Sequence, residues 1–114
     1  MIGVDIIYIP RIKKALERHG ERFLKRVFSE EELRLCLVFK EPEKCLAGRW
    51  ACKEAIFKAV YVSTGIKLNL KQIEVIKGKE GEPIVKIRKS ITTRIKVSIS
   101  HDGDYAIAVA YVLK

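Results

Sequence analysis

The fold is decided by residues 46–59, which read LAGRWACKEAIFKA. Within this stretch alanine recurs at every fourth position, at Ala47, Ala51, Ala55 and Ala59. Residues four apart share one face of an α-helix, so the pattern predicts a helix with a stripe of small side chains that packs closely against a sheet or another helix. Pro42 and Gly65 bracket the pattern, and we expect the helix to run over residues 43–62.

Charge and length limit the classes of protein to consider. The chain has 114 residues, of which 48% are apolar, so one domain over residues 1–114 is expected. It carries 23 Lys and Arg against 14 Asp and Glu, a net charge of +9. Such a charge attracts nucleic acid, membrane headgroups, phosphorylated ligands or an acidic protein. No apolar run approaches the roughly 20 residues that span a bilayer, so no membrane anchor is expected.

The three cysteines point to a reducing compartment. Cys36, Cys45 and Cys52 are odd in number and form no Cys-x-x-Cys pair. Neither a disulfide framework nor a zinc site is therefore predicted, and a cytoplasmic location is expected.

The segments on either side of the long helix predict an α+β fold. Residues 2–7 are rich in β-branched side chains and favour a strand, and Pro10 suits the first turn of a helix that ends near Arg18. Ser29 and Glu32 have the capping-box spacing of another short helix. After residue 71, strands are predicted at residues 72–77, 83–89, 95–100 and 105–113, with a hairpin turn at Asp102-Gly103. The expectation is an antiparallel sheet packed against the long helix, with shorter helices near the amino terminus.

Two carboxylates are candidates for a metal site. Asp5 lies in an apolar strand, where an ionised carboxylate is costly unless a cation or several donors meet it. One interpretation is that Asp5 caps a turn or pairs with Arg11. For Glu54, the corresponding interpretation is a surface ion pair with Lys58, four positions later on the helix. The alternative is that Asp5 and Glu54 meet and share Mg²⁺, which one or two carboxylates hold while water and phosphate oxygens fill its other positions. Lysine and arginine on the same helix would then neutralise phosphate, at Arg49, Lys53 and Lys58.

His101 follows an alternating strand and precedes the hairpin turn, so it is predicted at the sheet rim. Two interpretations of His101 stay open: it contacts a ligand at the rim, or it is an ordinary solvated histidine. Ser98 and Ser100 lack a Gly-x-Ser-x-Gly elbow and are interpreted as polar-face residues rather than nucleophiles.

The segment between residues 11 and 26 is strongly basic. It contains only Glu17 and Glu21 against seven cations, which are Arg11, Lys13, Lys14, Arg18, Arg22, Lys25 and Arg26. A surface that meets an acidic partner and a merely solvated face both remain open. No RRM aromatic motif or zinc finger supports nucleic acid.

Three segments together resemble the holo-acyl-carrier-protein synthases, the small bacterial branch of the 4'-phosphopantetheinyl transferases. The opening GVDI of residues 3–6 with Arg11 is similar to the family's Gly-x-Asp motif, residues 46–59 resemble its central helix, and VSISHD of residues 97–102 resembles its late strand. The resemblance spans nearly the whole chain. It implies Mg²⁺-dependent transfer of the phosphopantetheine arm of coenzyme A to a serine of apo-acyl carrier protein, a step that supports fatty acid biosynthesis.

The resemblance also implies residue roles. Asp5 and Glu54 would bind Mg²⁺ and, with Lys58, form the catalytic group, with Glu54 as our candidate base. Arg49 and His101 would lie near the 3'-phosphoadenosine part of coenzyme A. The remaining coenzyme A contacts implied are Lys53, Gly81, Pro83 and Ser100. Contacts to the acidic carrier protein are expected from Arg11, Lys14, Arg18 and Arg22.

The family further implies a homotrimer with active sites at subunit interfaces, and no nucleic-acid or membrane partner. The chain departs from the family's Gly-x-Pro loop at Glu82, where a basic residue is common, and Lys79 is a possible replacement for that charge. Two other classes stay open on the residues alone: a basic nucleic-acid-binding domain, and a noncatalytic assembly protein that uses its apolar strands only for packing.

Overall fold

The structure, a computed structural model, describes residues 1–88 and 94–113. The predicted end of a strand at Lys89 lies outside these residues. Helices α1 to α4 are Ile9–His19, Glu21–Val27, Glu30–Cys36 and Glu43–Thr64, and a short 3₁₀ helix is Leu70–Gln72. Strands β1 to β5 are Ile2–Tyr8, Ile73–Lys77, Pro83–Ile87, Arg94–Asp102 and Tyr105–Leu113. Within the described ranges, no helix combines the length and the apolar character that crossing a membrane requires.

The strands form two antiparallel sheets. One has the order β1-β5-β4, and the other is a hairpin of β2 and β3. The expected α+β class and antiparallel pairing are confirmed, although the strands are divided between two sheets. On β5 every second side chain is buried, from Ala106 through Ala108 and Ala110 to Val112, and these face the core that α4 completes.

Helix α4 lies directly on the larger sheet through its alanine stripe. Ala47, Ala51, Ala55 and Ala59 have no exposed surface. A side chain at Gly3 of β1 would overlap the carbonyl oxygen of Ala55, so glycine is required for this close approach. The predicted stripe is therefore a packing face, and it fixes β1 against the middle of α4.

The first of the amino-terminal helices ends where it was expected to end. The helix predicted to stop near Arg18 stops at His19, because the chain turns at Gly20 with a φ of 53°, an angle that glycine adopts without strain. Helices α1 and α2 lie on either side of this turn. The predicted capping box is confirmed, since Ser29 Oγ accepts from the Glu32 N–H at 3.2 Å and Glu32 Oε1 accepts from the Ser29 N–H at 2.8 Å.

Two other predictions are corrected. The last hairpin turns at Gly103-Asp104, one residue later than expected, because Asp102 still pairs with Tyr105 and Gly103 takes the positive φ of 55°. The expectation of no disulfide is also wrong, since Cys36 and Cys45 are bonded, with their Cα atoms 5.4 Å apart. The end of α3 and the start of α4 meet there, which the nine-residue spacing alone does not reveal.

Candidate active site

Lys58 and Asp5 join β1 to the exposed side of α4. The Lys58 ammonium donates to Asp5 Oδ1 at 2.9 Å and to the Val4 carbonyl at 3.0 Å. The Asp5 side chain is 18% exposed and that of Lys58 is 49% exposed. Lys58 thus partners Asp5 rather than Glu54, and the cost of placing a carboxylate in an apolar strand is offset by this cation.

Glu54 lies one helical turn before Lys58. Its half-buried carboxylate accepts from the indole Nε1 of Trp50 at 3.4 Å through Oε1. Trp50, Glu54 and Lys58 occupy successive turns of one face of α4. Four residues of helix rise about 6 Å, so Asp5, bonded to Lys58, is near the same part of α4 as Glu54.

The donor set at this face suits a hard cation. Among the described residues, no group of three or more His, Cys, Asp or Glu side chains could hold a metal ion. Asp5 and Glu54 instead offer two carboxylates, and Mg²⁺ in phosphate-transfer sites is held by one or two carboxylates with water and phosphate oxygens. The residues present therefore fit Mg²⁺ bound together with a phosphorylated ligand.

A cationic cavity of about 650 Å³ opens beside the amino-terminal half of α4. Helix α3, the loop after it, the start of α4 and the β2–β3 turn contribute its lining of Leu35, Phe39, Lys40, Glu41, Lys44, Cys45, Arg49, Lys77 and Gly81. Four cations face one carboxylate in this set, and its volume lies within the usual range for a small-molecule site. The cavity is suited to an anionic ligand with an apolar part.

Arg49 brings an unsatisfied donor to this cavity. Its Nε is buried and has no hydrogen-bond partner among the described residues. Burial lowers the pKa of Arg49, while the thiol of Cys52 and the carboxylate of Glu32 oppose that shift. An anionic group in the cavity would offset this desolvation, so the predicted role of Arg49 as a phosphate contact fits its surroundings.

His101 is held against the start of α4. Its Nε2 lies 3.1 Å from the Lys44 carbonyl oxygen, which can only accept, so Nε2 is the donor. The ring also covers Gly48, where a side chain would place its Cβ 2.8 Å from Nε2. Ser100 and His101 are both exposed on β4. His101 therefore borders the same end of α4 that lines the cavity.

The β2–β3 turn brings Gly81 to the cavity, and Pro83 begins β3 behind it. The acidic side chain of Glu82 folds back on this turn, where its Oε1 accepts from the Glu80 N–H at 3.0 Å. The Glu82 carboxylate is thus held by the backbone of its own turn. Lys77, rather than Lys79, is the lysine of this hairpin in the cavity lining.

The expectation that Lys53 contacts coenzyme A is not supported. Its side chain has no exposed surface, and its ammonium donates to Glu32 Oε1 and to the Val27 carbonyl, each at 2.6 Å. Burial lowers the pKa of Lys53, while Glu32 opposes that shift through its charge and hydrogen bond. Lys53 points into the interior because it lies one position from Glu54, on a different face of α4.

The predicted carrier-protein surface is open. Arg11, Lys14, Arg18 and Arg22 are all exposed on α1 and α2. Among the described residues, these four cations form no ion pair with a carboxylate. The surface therefore keeps its positive charge available.

Residues 1–110 match the 4'-phosphopantetheinyl transferase superfamily. The chain belongs to this family. Curated relatives are the holo-[acyl-carrier-protein] synthases of Aquifex aeolicus, 45% identical and covering 100% of this chain and 98% of that protein, and of Chlorobaculum parvum, 42% identical and covering 97% and 96%.

Solved structures of the family share the fold. The Helicobacter pylori holo-[acyl-carrier-protein] synthase in complex with coenzyme A is 36% identical, with a TM-score of 0.87, and the match covers 99% of this chain and 100% of that one. The Bacillus anthracis enzyme in complex with CoA (3',5'-ADP) is also 36% identical, with a TM-score of 0.81 and coverage of 97% and 92%.

Several cavity residues were missed in the sequence. Phe39, Lys40 and Lys44 lie in and after the α3–α4 loop, and Lys77 ends β2. The available signal was a pair of lysines around Pro42, next to the predicted phosphate-binding helix. These residues come together because α3 and the β2–β3 hairpin fold against α4. No local sequence pattern predicts that arrangement.

Proposed function

We propose that the protein transfers the 4'-phosphopantetheine arm of coenzyme A to a serine of apo-acyl carrier protein. The products are holo-acyl carrier protein and adenosine 3',5'-bisphosphate, and the reaction supports fatty acid biosynthesis. The observation that carries this proposal is the joining of Asp5 to Lys58 beside Glu54, on a helix that also lines a cationic cavity. Family membership and relatives named holo-[acyl-carrier-protein] synthase support it.

Coenzyme A carries negative charge at two places, its pyrophosphate and its 3'-phosphate, and α4 has cations in two regions. Arg49 and Lys58 are nine residues apart, about 13.5 Å along the helix axis and, at 3.6 residues per turn, on opposite faces of α4. One coenzyme A would therefore meet both regions across a subunit interface. In our assignment Arg49 and His101 take the 3'-phosphoadenosine part with Ser100 beside them, and Gly81 and Pro83 border the adenine.

Lys58 is the assigned phosphate ligand at the reacting end. An ammonium has three donors, and the Asp5 and Val4 oxygens occupy two of them. The third is available to an oxygen of the pyrophosphate, where negative charge develops as the bond to phosphorus breaks. Asp5 and Glu54 would hold Mg²⁺, which supplies further positive charge to the same phosphates.

Glu54 is the assigned acceptor for the serine proton. Asp5 already accepts a short bond from the Lys58 ammonium, whereas the one bond that Glu54 accepts from the described residues is a long one from a neutral indole. Glu54 is therefore the more available base, directly or through a bound water. Attack by the serine hydroxyl requires no nucleophile from the protein itself.

The carrier protein is assigned to the basic surface of α1 and α2. Acyl carrier protein is acidic, and exposed cations accelerate and orient the docking of an acidic partner. Arg11, Lys14, Arg18 and Arg22 are the expected contacts. Arg11→Glu should weaken docking more at low salt than at high salt, and a defect insensitive to salt would contradict this role. Nucleic acid binding at low salt would instead favour the alternative use of this charge.

A homotrimer with interfacial active sites is part of the proposal. The outer face of β1 and of the neighbouring part of β5 is apolar, with Ile2, Val4 and Ile6 exposed by 65%, 52% and 59%. Tyr105 and Ile107 of β5 are exposed beside them. A contiguous apolar face of this kind is typical of subunit contacts, and it lies on the strand that carries Asp5. We place the protein in the cytoplasm with its carrier protein, without a membrane partner.

The assigned carboxylates are tested by neutral variants. Glu54→Gln and Asp5→Asn should each lose most Mg²⁺-dependent transfer of phosphopantetheine while remaining folded by circular dichroism. Glu30→Gln, an exposed carboxylate on α3, is the matched control and should retain activity. The assignment is falsified if both site variants modify carrier protein at the parental rate.

A further inference from the structure

Trp50 is the single tryptophan of the sequence. Its ring is fixed from α2 and from the residue that follows it, by Phe23 at a centroid distance of 5.3 Å and by Phe28 at 6.5 Å. Both contacts are tilted or edge-on, the arrangements that aromatic pairs prefer. The direction of the indole N–H is therefore set by packing, not by the hydrogen bond that it makes.

That N–H points along α4 to Glu54, where it donates to Oε1 at 3.4 Å. The neighbouring cation does not take this role, because Lys58 is bonded to Asp5 and Val4. The indole thus occupies one oxygen of Glu54 and leaves Oε2 for another partner. A tryptophan donor carries no charge, so it restrains the carboxylate without competing for a cation as a lysine would.

We propose that Trp50 is a positioning residue, whose indole N–H orients the Glu54 carboxylate for the divalent cation. The inference rests on the proposed function for the identity of the cation, but it concerns only the chain's own side chains. Phenylalanine at this position would keep the ring contacts and lose the donor. Glu54 would then sample more orientations, and the metal would be held less tightly.

The test is Trp50→Phe, measured by direct binding of Mn²⁺ in the presence of coenzyme A, with the loss of the free Mn²⁺ signal in electron paramagnetic resonance as the readout. We expect the dissociation constant to rise roughly three- to tenfold, the range that follows from losing one ordinary hydrogen bond, since this bond is long at 3.4 Å. The turnover number at saturating metal should change much less than the Michaelis constant for the metal. Phe57→Leu is the matched control, because it removes an aromatic contact to Tyr61 from the same helix and keeps both members of the Trp50–Glu54 hydrogen bond.

A second measurement uses the parent protein and requires no folded variant at position 50. Emission from Trp50 should change when Mg²⁺ is added to the coenzyme A complex, and Glu54→Gln should abolish that change. The inference would be overturned if Trp50→Phe bound Mn²⁺ with unaltered affinity, or if the emission of Trp50 did not change when Mg²⁺ is added. Transfer by the parent in that case would leave the proposed function intact, whereas absence of transfer by the parent would overturn the function itself.

Discussion

Replacing Lys53 by methionine tests the interior of α4. Methionine keeps most of the length of the side chain and removes the ammonium that joins Glu32 to the Val27 carbonyl. The Glu32 carboxylate, which has no exposed surface, would keep its bonds from the Ser29 and Val75 N–H groups and lose its only ionic partner among the described residues. Removing one member of a buried pair costs about 3–5 kcal/mol. That is a large part of the 5–15 kcal/mol that stabilises a typical domain.

The assay is urea denaturation, with Lys58→Met as the matched control. The control makes the same substitution on the same helix and also breaks an ion pair, but the Lys58 side chain is 49% exposed. The Asp5 partner is 18% exposed and stays in contact with water, so Lys58→Met should lower the free energy of unfolding by about 1 kcal/mol, well below the loss in Lys53→Met. Equal and small losses in the two variants would refute the reasoning that burial makes the Lys53–Glu32 pair different.

Three further predictions concern packing, the disulfide and pH. Gly3→Ala should lower the free energy of unfolding by at least about 1–3 kcal/mol, because its Cβ overlaps Ala55, and an unchanged melting temperature would contradict the close approach. Without reductant, denatured protein should show one titratable thiol, and three thiols before reduction would exclude the Cys36–Cys45 bond. Reducing this bond should lower the free energy of unfolding by roughly 2–3 kcal/mol. Burial raises the pKa of Cys52 to about 12 from 9.0, so the unfolded chain ionises first and stability should fall as pH rises through this interval. Urea midpoints at about pH 8 and about pH 10 should show a smaller fall in Cys52→Ala, and an equal fall would contradict the assignment.

The long helix could be predicted because its signals are local. The four-residue alanine period and the bracketing Pro42 and Gly65 all act within one element, and the structure places α4 at Glu43–Thr64. The nearness of Asp5 to this helix required the family resemblance. In physical terms it follows from Gly3, two residues earlier, which lets β1 approach the backbone of α4.

Lys53 shows what the local sequence cannot predict. A lysine beside Glu54 in a phosphate-binding motif was interpreted as a ligand contact, but α4 is covered on more than one side. Helix α3 and strand β2 meet there, and Glu32 links them by accepting from Val75 as well as from Lys53. A helical period identifies which residues share a face, but the direction of each face is set by partners distant in sequence.

The Cys36–Cys45 bond and the cationic cavity were missed for the same reason. Both form where α3, the start of α4 and, for the cavity, the β2–β3 turn converge. The bond is also unusual for the proposed cytoplasmic location, since disulfides are rare in reducing compartments. Thiol counting on protein taken rapidly from cells would show whether it forms there.

The central claim is that Asp5, Glu54 and Lys58 transfer phosphopantetheine from coenzyme A to a carrier protein. The most direct measurement is the mass of apo-acyl carrier protein after incubation with the parent protein, coenzyme A and Mg²⁺. The account predicts a gain of one phosphopantetheine, which is lost when the serine of the carrier is replaced by alanine and largely lost with Glu54→Gln. A carrier protein of unchanged mass after incubation with folded parent protein would contradict it.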